Sequence, residues 1–187
     1  MQKENRNGIF LITGVMAAGK STIAQMLAQK FEKSVHLRGD AFRKMIVNGR
    51  EEMLPETSQE SVRQLSLRHE IAASTADRYY RAGFTVVLQD VIIGSFLAET
   101  VTRIQSRPLY VIVLAPRPEA VMEREKSRPK TGYGLWTADE LDRRLREETP
   151  KIGLWLDTTN QTAAQTLDEI WGRVWAQGIV EETDSPY

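Results

Sequence analysis

Residues Gly14-Val15-Met16-Ala17-Ala18-Gly19-Lys20-Ser21 follow the pattern G-x-x-x-x-G-K-[ST], and no other feature of the chain constrains its fold as tightly. The glycines let backbone N–H groups turn inward around phosphate oxygens. Lys20 reaches the β- and γ-phosphates, and the Ser21 hydroxyl is of the kind that ligates Mg2+. Such a loop belongs between a strand and a helix, and both flanks are present. The apolar run 8–13 leads into it, and Ile23, Leu27 and Phe31 recur after it at helical spacing. The following helix turns its positive N-terminal end toward the same oxygens.

The rest of the chain alternates short β-branched runs with helical stretches. Residues 34–37 read as a second strand, followed by a helix over 41–47 that stops at Asn48-Gly49. Thr57 and Glu60 have the spacing of a capping box. They predict a helix with an apolar stripe of Val62, Leu65, Ala72, Ala76 and Tyr79 that ends at Gly83. The nearly all-apolar run 84–90 suits a parallel strand buried on both faces. A helix over 95–104, a strand over 109–115 and a helix entered through Pro116 and Pro118 come next. Residues 128–136, with two glycines and a proline, predict a small lid. Thr137 and Glu140 open a further helix that stops before Pro150. A fifth strand (152–157) and a closing helix (162–176) follow, with a fraying tail over 178–187. The pattern predicts one α/β domain over 1–187, with helices on both faces of a five-stranded parallel sheet. Its site should lie at the carboxyl ends of the strands.

Composition narrows what such a domain can do. Twenty-five Lys and Arg balance 25 Asp and Glu, so the chain has no basic footprint to draw it to nucleic acid or an anionic membrane. There is no cysteine, which removes disulfides, thiolate catalysis and cysteine-held metals, and the two histidines are scattered. No segment reaches the ~18 apolar residues of a membrane span, and the polar N-terminus has no signal-peptide core, so the expectation is a cytoplasmic protein. A GTP-dependent switch needs Asn-Lys-x-Asp to read guanine. The nearest run, Thr158-Thr159-Asn160-Gln161-Thr162, lacks the lysine and the aspartate. Ring and transporter ATPases need additional domains, which leaves a small kinase using ATP and Mg2+.

Two carboxylates fit that chemistry. Asp40 follows the second strand and is placed to accept or orient the proton of an acceptor hydroxyl. Arg43, one helical turn on, could hold an acceptor anion. Asp90 closes the third strand in the Walker B position, where a carboxylate holds Mg2+ directly or through water. Arg124, Lys126, Arg128 and Lys130 lie where a lid could close over the nucleotide, with Arg143 and Arg144 on the next helix. His69 and His36 read as packing residues, as do Trp136, Trp155, Trp171 and Trp175.

Over essentially its whole length the chain resembles the small P-loop kinases of the adenylate kinase and shikimate kinase type. Three segments resemble the chloramphenicol phosphotransferase-like group: Gly14 to Ser21, the run Val86-Val87-Leu88-Gln89-Asp90-Val91-Ile92-Ile93-Gly94, and the run Leu156-Asp157-Thr158-Thr159-Asn160-Gln161-Thr162. The resemblance implies a P-loop three-layer sandwich with strand order 2-3-1-4-5 and a small lid. It implies that Asp40 is the base, assisted in transfer by Lys20 and Arg128, and that Ser21 and Asp90 serve the metal. It further implies that Gly14, Ala17, Ala18, Gly19, Lys20, Ser21 and Thr22 hold the phosphates. Arg124 would lie on the adenine, Arg128 would contact phosphate from the lid, and Thr159 would sit near the base. Asp40, Arg43 and Asp90 would face the acceptor. Two departures stand out: many of these kinases have glycine where this chain has Ala17, and a second acid where it has Gln89. Asp40-x-x-Arg43 also resembles polynucleotide 5′-hydroxyl kinases. The readings are therefore a kinase acting on a small-molecule hydroxyl, a polynucleotide kinase, or an ATP-binding regulatory protein without transfer.

Overall fold

Strand β1 (Ile9–Gly14) is buried along its whole length, as an apolar strand flanked on both edges must be. In the computed structural model, which describes residues 6–126 and 135–181, it lies at the centre of a five-stranded sheet of order β2-β3-β1-β4-β5. Its neighbours are β3 (Thr85–Gln89) and β4 (Leu109–Leu114). The edges are β2 (Ser34–Arg38) and β5 (Leu154–Leu156), and every pairing is parallel. The order matches the expectation, and every carboxyl end lies along one edge.

Between the strands run α1 (Lys20–Ala28), α2 (Asp40–Lys44), α3 (Gln59–Arg81), α4 (Phe96–Arg103), α5 (Pro118–Lys126) and α6 (Ala138–Arg143), and α7 (Ala163–Arg173) follows β5. The chain moves one way across the sheet after β1 and the other way after β2, β3 and β4. Right-handed crossovers therefore put α1 on one face with α7 and α3 on the other with α4. Beside β1, Phe10 stacks on Tyr110 with centroids 4.8 Å apart, and Phe31, Trp171 and Trp175 complete an aromatic cluster under α1 and α7. Two of the four tryptophans are thereby accounted for as packing.

Several local expectations shift. Helix α3 is capped by Ser58, whose Oγ accepts the Ser61 N–H at 2.9 Å, rather than by Thr57 with Glu60. Its inner face is Ser61, His69, Ala72, Ala73, Ala76 and Asp77, while Val62 and Tyr79 are exposed. Small residues win that face because they let α3 approach the sheet closely. Helix α2 ends at Lys44 instead of continuing to 47, and it buries no residue, so nothing pays for further turns. The box at Thr137 and Glu140 forms as expected, and Thr162 with Gln165 forms a second. The start of the tail does not fray. Ile179 bridges Tyr110, and the Val180 N–H donates to the Leu109 carbonyl at 2.9 Å.

Candidate active site

Gly14 ends β1 with φ 142°, and a side chain there would overlap the Leu114 carbonyl of the neighbouring strand. Gly19, with φ 96°, turns the loop into α1. These two backbone positions demand glycine, so the motif is explained by geometry as well as chemistry. Ala17 also has a left-handed backbone, with φ 60°. Lys20 lies back along the loop, its Nζ donating to the Val15 carbonyl at 2.7 Å. A cavity of about 250 Å3 opens beside it, lined by Ala17, Gly19, Lys20, Ser21, Thr22 and Arg124. Five loop residues named from the sequence thus share one cavity with Arg124, which comes from α5. Gly14 and Ala18 shape the loop from beneath, and Ala18 is buried.

Arg124 also donates to the Thr158 carbonyl at 2.7 Å, which brings the turn after β5 to the same cavity. Thr159 is committed inside that turn. Its backbone N–H and its hydroxyl both donate to Asp157, and its hydroxyl oxygen accepts the Arg117 N–H at 2.8 Å. Those two bonds from Thr159, aided by Arg117 and Arg146, hold the Asp157 carboxyl below the usual carboxylate range against the opposing effect of burial. Arg128 and Lys130 lie outside the described residues, as does most of the expected lid. At its described end, Trp136 donates its indole N–H to the Met53 carbonyl at 2.7 Å. The Arg144 guanidinium sits 4.6 Å from that ring, and Arg143 pairs with Glu147 and Glu148.

The two carboxylates occupy neighbouring strand ends, in different environments. Asp40 begins α2 with its side chain 43% exposed, and its Oδ2 accepts from Lys44 Nζ at 2.6 Å. Burial raises its pKa, but the bond from Lys44 and the charges of Lys44, Arg68 and Arg38 outweigh that and leave it below the ordinary value. Asp90 is only 4% exposed. Burial pushes its pKa up and Asp40 adds to the rise. Arg68, the Val91 N–H and Lys20 pull it back without cancelling it. Its Oδ1 accepts the Val91 N–H at 2.8 Å, and its Oδ2 lies 2.9 Å from Arg68 Nε. Arg43 pairs with Glu52 of the segment beyond α2.

The loop after β3 is fixed by contacts the sequence does not announce. The Thr13 hydroxyl donates to the Ile92 carbonyl at 2.7 Å and accepts the Ile92 N–H at 2.9 Å. Thr149 Oγ1 accepts the Gly94 N–H at 2.7 Å. His69 is fully buried, edge-on to Phe96, as its place on α3 suggested. Burial and then the Arg68 and Arg103 charges lower its pKa to about 3, opposed in part by the Val91 backbone. Arg68 is the residue that sequence reasoning missed. A lone arginine beside a histidine within a helix carries no motif.

A parallel sheet in this order, with a phosphate loop after its central strand and carboxylates at the ends of β2 and β3, defines a P-loop kinase fold. Within that class the chain belongs to the family described as AAA domain, whose model matches residues 9–147. It is 31% identical over 136 residues to a UPF0200 protein of Aeropyrum pernix, a match covering 71% of each chain. Its fold is similar to that of a sugar kinase from Janibacter sp. HTCC2649, with a TM-score of 0.67 and 17% identity over 89% of this chain and 94% of that one. It is also similar to the tunicamycin resistance protein of Deinococcus radiodurans, with a TM-score of 0.65 and 15% identity over 94% and 99% of the two chains. Among the described residues no helix is long and apolar enough to cross a membrane.

Proposed function

We propose that this protein is an ATP-dependent kinase that transfers the γ-phosphate to a hydroxyl group of a small molecule. The observation that carries this reading is the pairing of a cavity of about 250 Å3, lined by Lys20 and Ser21, with a half-exposed, ionised Asp40 at the carboxyl end of β2 along the same edge of the sheet. One part grips a donor, and the other can take a proton. The Janibacter sugar kinase and the tunicamycin resistance protein, named for small molecules, support the same reading.

In the proposed reaction the loop amides and Lys20 hold the β- and γ-phosphates, and Arg124 with the Asp157–Thr159 turn borders the nucleoside. Asp40 accepts the hydroxyl proton of the acceptor as its oxygen bonds to the γ-phosphorus and the bond to ADP breaks. Arg128 is proposed to contact phosphate from the lid. Mg2+ fits the donor set through Ser21, whose hydroxyl lines the cavity, and bound there it would neutralise charge on the transferring phosphoryl group. Asp90, whose Oδ1 accepts the Val91 N–H and whose Oδ2 is ion-paired with Arg68 without a hydrogen bond, would act on it through water. A polynucleotide acceptor needs a basic groove near Asp40. Lys44 is paired with Asp40, and Arg43 with Glu52, so the observations favour a small acceptor.

The test is acceptor-stimulated ADP release, screened over hydroxyl-bearing metabolites, antibiotics and 5′-hydroxyl oligonucleotides. With the acceptor so found, Asp40→Asn is expected to lower kcat by about 100-fold or more while Kd for MgATP moves less than about threefold. Near-normal turnover in this variant would remove Asp40 from the base role. MgATP binding with no acceptor across the whole library would favour a regulatory protein.

A further inference from the structure

Asp90 has the position of a metal-holding carboxylate, yet its surroundings describe another task. Its Oδ2 faces the Nε of Arg68, a side chain only 13% exposed, at 2.9 Å, and its Oδ1 is taken by the Val91 N–H. The same Oδ2 also lies against Gly39, whose N–H donates to the Gln89 carbonyl at 3.0 Å. A Cβ on Gly39 would overlap the Asp90 carboxylate. Gly39 has φ −62°, which any residue adopts, so glycine is needed there for space rather than for backbone freedom. The residue after Gly39 is Asp40. The Arg68 charge acts on both carboxylates, and Asp40 raises the cost of ionising Asp90.

The geometry points to Arg68 as a positioning residue that works through Asp90. Together they clamp the Gly39–Asp40 junction, so that the proposed base stands in fixed register with the phosphate loop. Asp90 serves the placement of Asp40 instead of ligating a metal ion directly. This inference rests on the kinase reading for its purpose, but the clamp itself is a physical contact that can be tested without phosphotransfer.

The test uses the full chain with Arg68→Met, Arg68→Lys and Gly39→Ala. Hydrogen exchange over residues 39–45 and the affinity for the Mg2+ complex of fluorescent mant-ATP are measured on each. In Arg68→Met, amides 39–45 are expected to exchange about tenfold faster while those of β1 and β4 keep their protection. Mant-ATP affinity should stay within about threefold of wild type. Arg68→Lys should restore most of the protection, and Gly39→Ala should loosen the same amides with the guanidinium intact. Unchanged exchange over 39–45 in a folded Arg68→Met protein would overturn the clamp. So would loss of mant-ATP affinity by about tenfold or more, which would put the pair in metal and nucleotide binding. Should the wild-type chain fail to bind mant-ATP at all, the kinase reading falls, while the exchange data still decide the clamp. With an acceptor in hand, Arg68→Met should lower kcat with KM for the acceptor little changed, and Arg68→Lys should recover it.

Discussion

Ala17 holds a left-handed backbone in a loop where glycine would be at ease. For an L side chain that conformation costs about 1–2 kcal/mol. Glycine recovers it, less roughly 0.4–1 kcal/mol for the freer unfolded chain. Ala17→Gly is therefore expected to raise Tm by about 1–4 °C in calorimetry, and a fall would show that packing of the methyl group outweighs the strain. His69 carries the opposite lesson. It is buried without a well-formed hydrogen bond on either ring nitrogen, and its pKa is lowered to about 3. The unfolded chain takes up a proton near pH 6.5 that the folded chain refuses, so stability is full above that value and is lost as pH falls toward 3. Between pH 7 and pH 5 the loss is roughly 2 kcal/mol. In His69→Phe, which keeps the ring against Phe96, urea unfolding should show that pH dependence reduced; an equal slope would place its origin elsewhere. Gly14, Gly19, Lys20 and Ser21 are readable in the sequence because their geometry is local. Arg68 is not, because its meaning lies in Asp90, on a different element.

The same distinction separates the elements that sequence predicts well from those it predicts poorly. The box of Thr137 and Glu140 spans four residues and forms as read, since both partners sit within one helical turn. The inner face of α3 is decided instead by what it packs against, and an apolar stripe alone misplaces it toward Val62 and Tyr79. Asp77 shows how far the periodic reading strays. A charged residue occupies that buried face because its carboxylate accepts the Gln105 N–H at 3.1 Å and the Ser106 N–H at 2.9 Å. It thereby ties α3 to the turn leading into β4. Asp77→Ala would leave two N–H groups without their acceptor, a cost of about 2–4 kcal/mol. Thermal unfolding should drop by roughly 5–12 °C; a change under about 2 °C would mean that water replaces the carboxylate.

Sheet order follows from alternation and handedness, which are properties of the entire chain and survive errors in any one boundary. That is why the fold is legible even where α2 and β5 are shorter than expected. The site inherits part of that security, because parallel strands deliver their carboxyl ends, and so Gly14, Asp40, Asp90 and the turn after β5, to one edge. A ligand at this edge would bridge elements far apart in sequence, since the cavity joins the loop before α1 to Arg124 on α5, and Arg124 reaches Thr158 after β5. Binding there should stabilise the domain as a unit. At about 100 times Kd, MgATP is expected to add about 2.7 kcal/mol to unfolding free energy. For a chain of this length that raises Tm by roughly 5–10 °C. Lys20→Ala removes a bond from a cavity-lining side chain to the buried Val15 carbonyl, so the ligand-free Tm should hold to within about 3 °C while most of the nucleotide-dependent rise disappears. An undiminished rise in that variant would mean that the triphosphate is held elsewhere. Loss of the rise together with loss of the ligand-free fold would mean that Lys20 braces the loop rather than the phosphates.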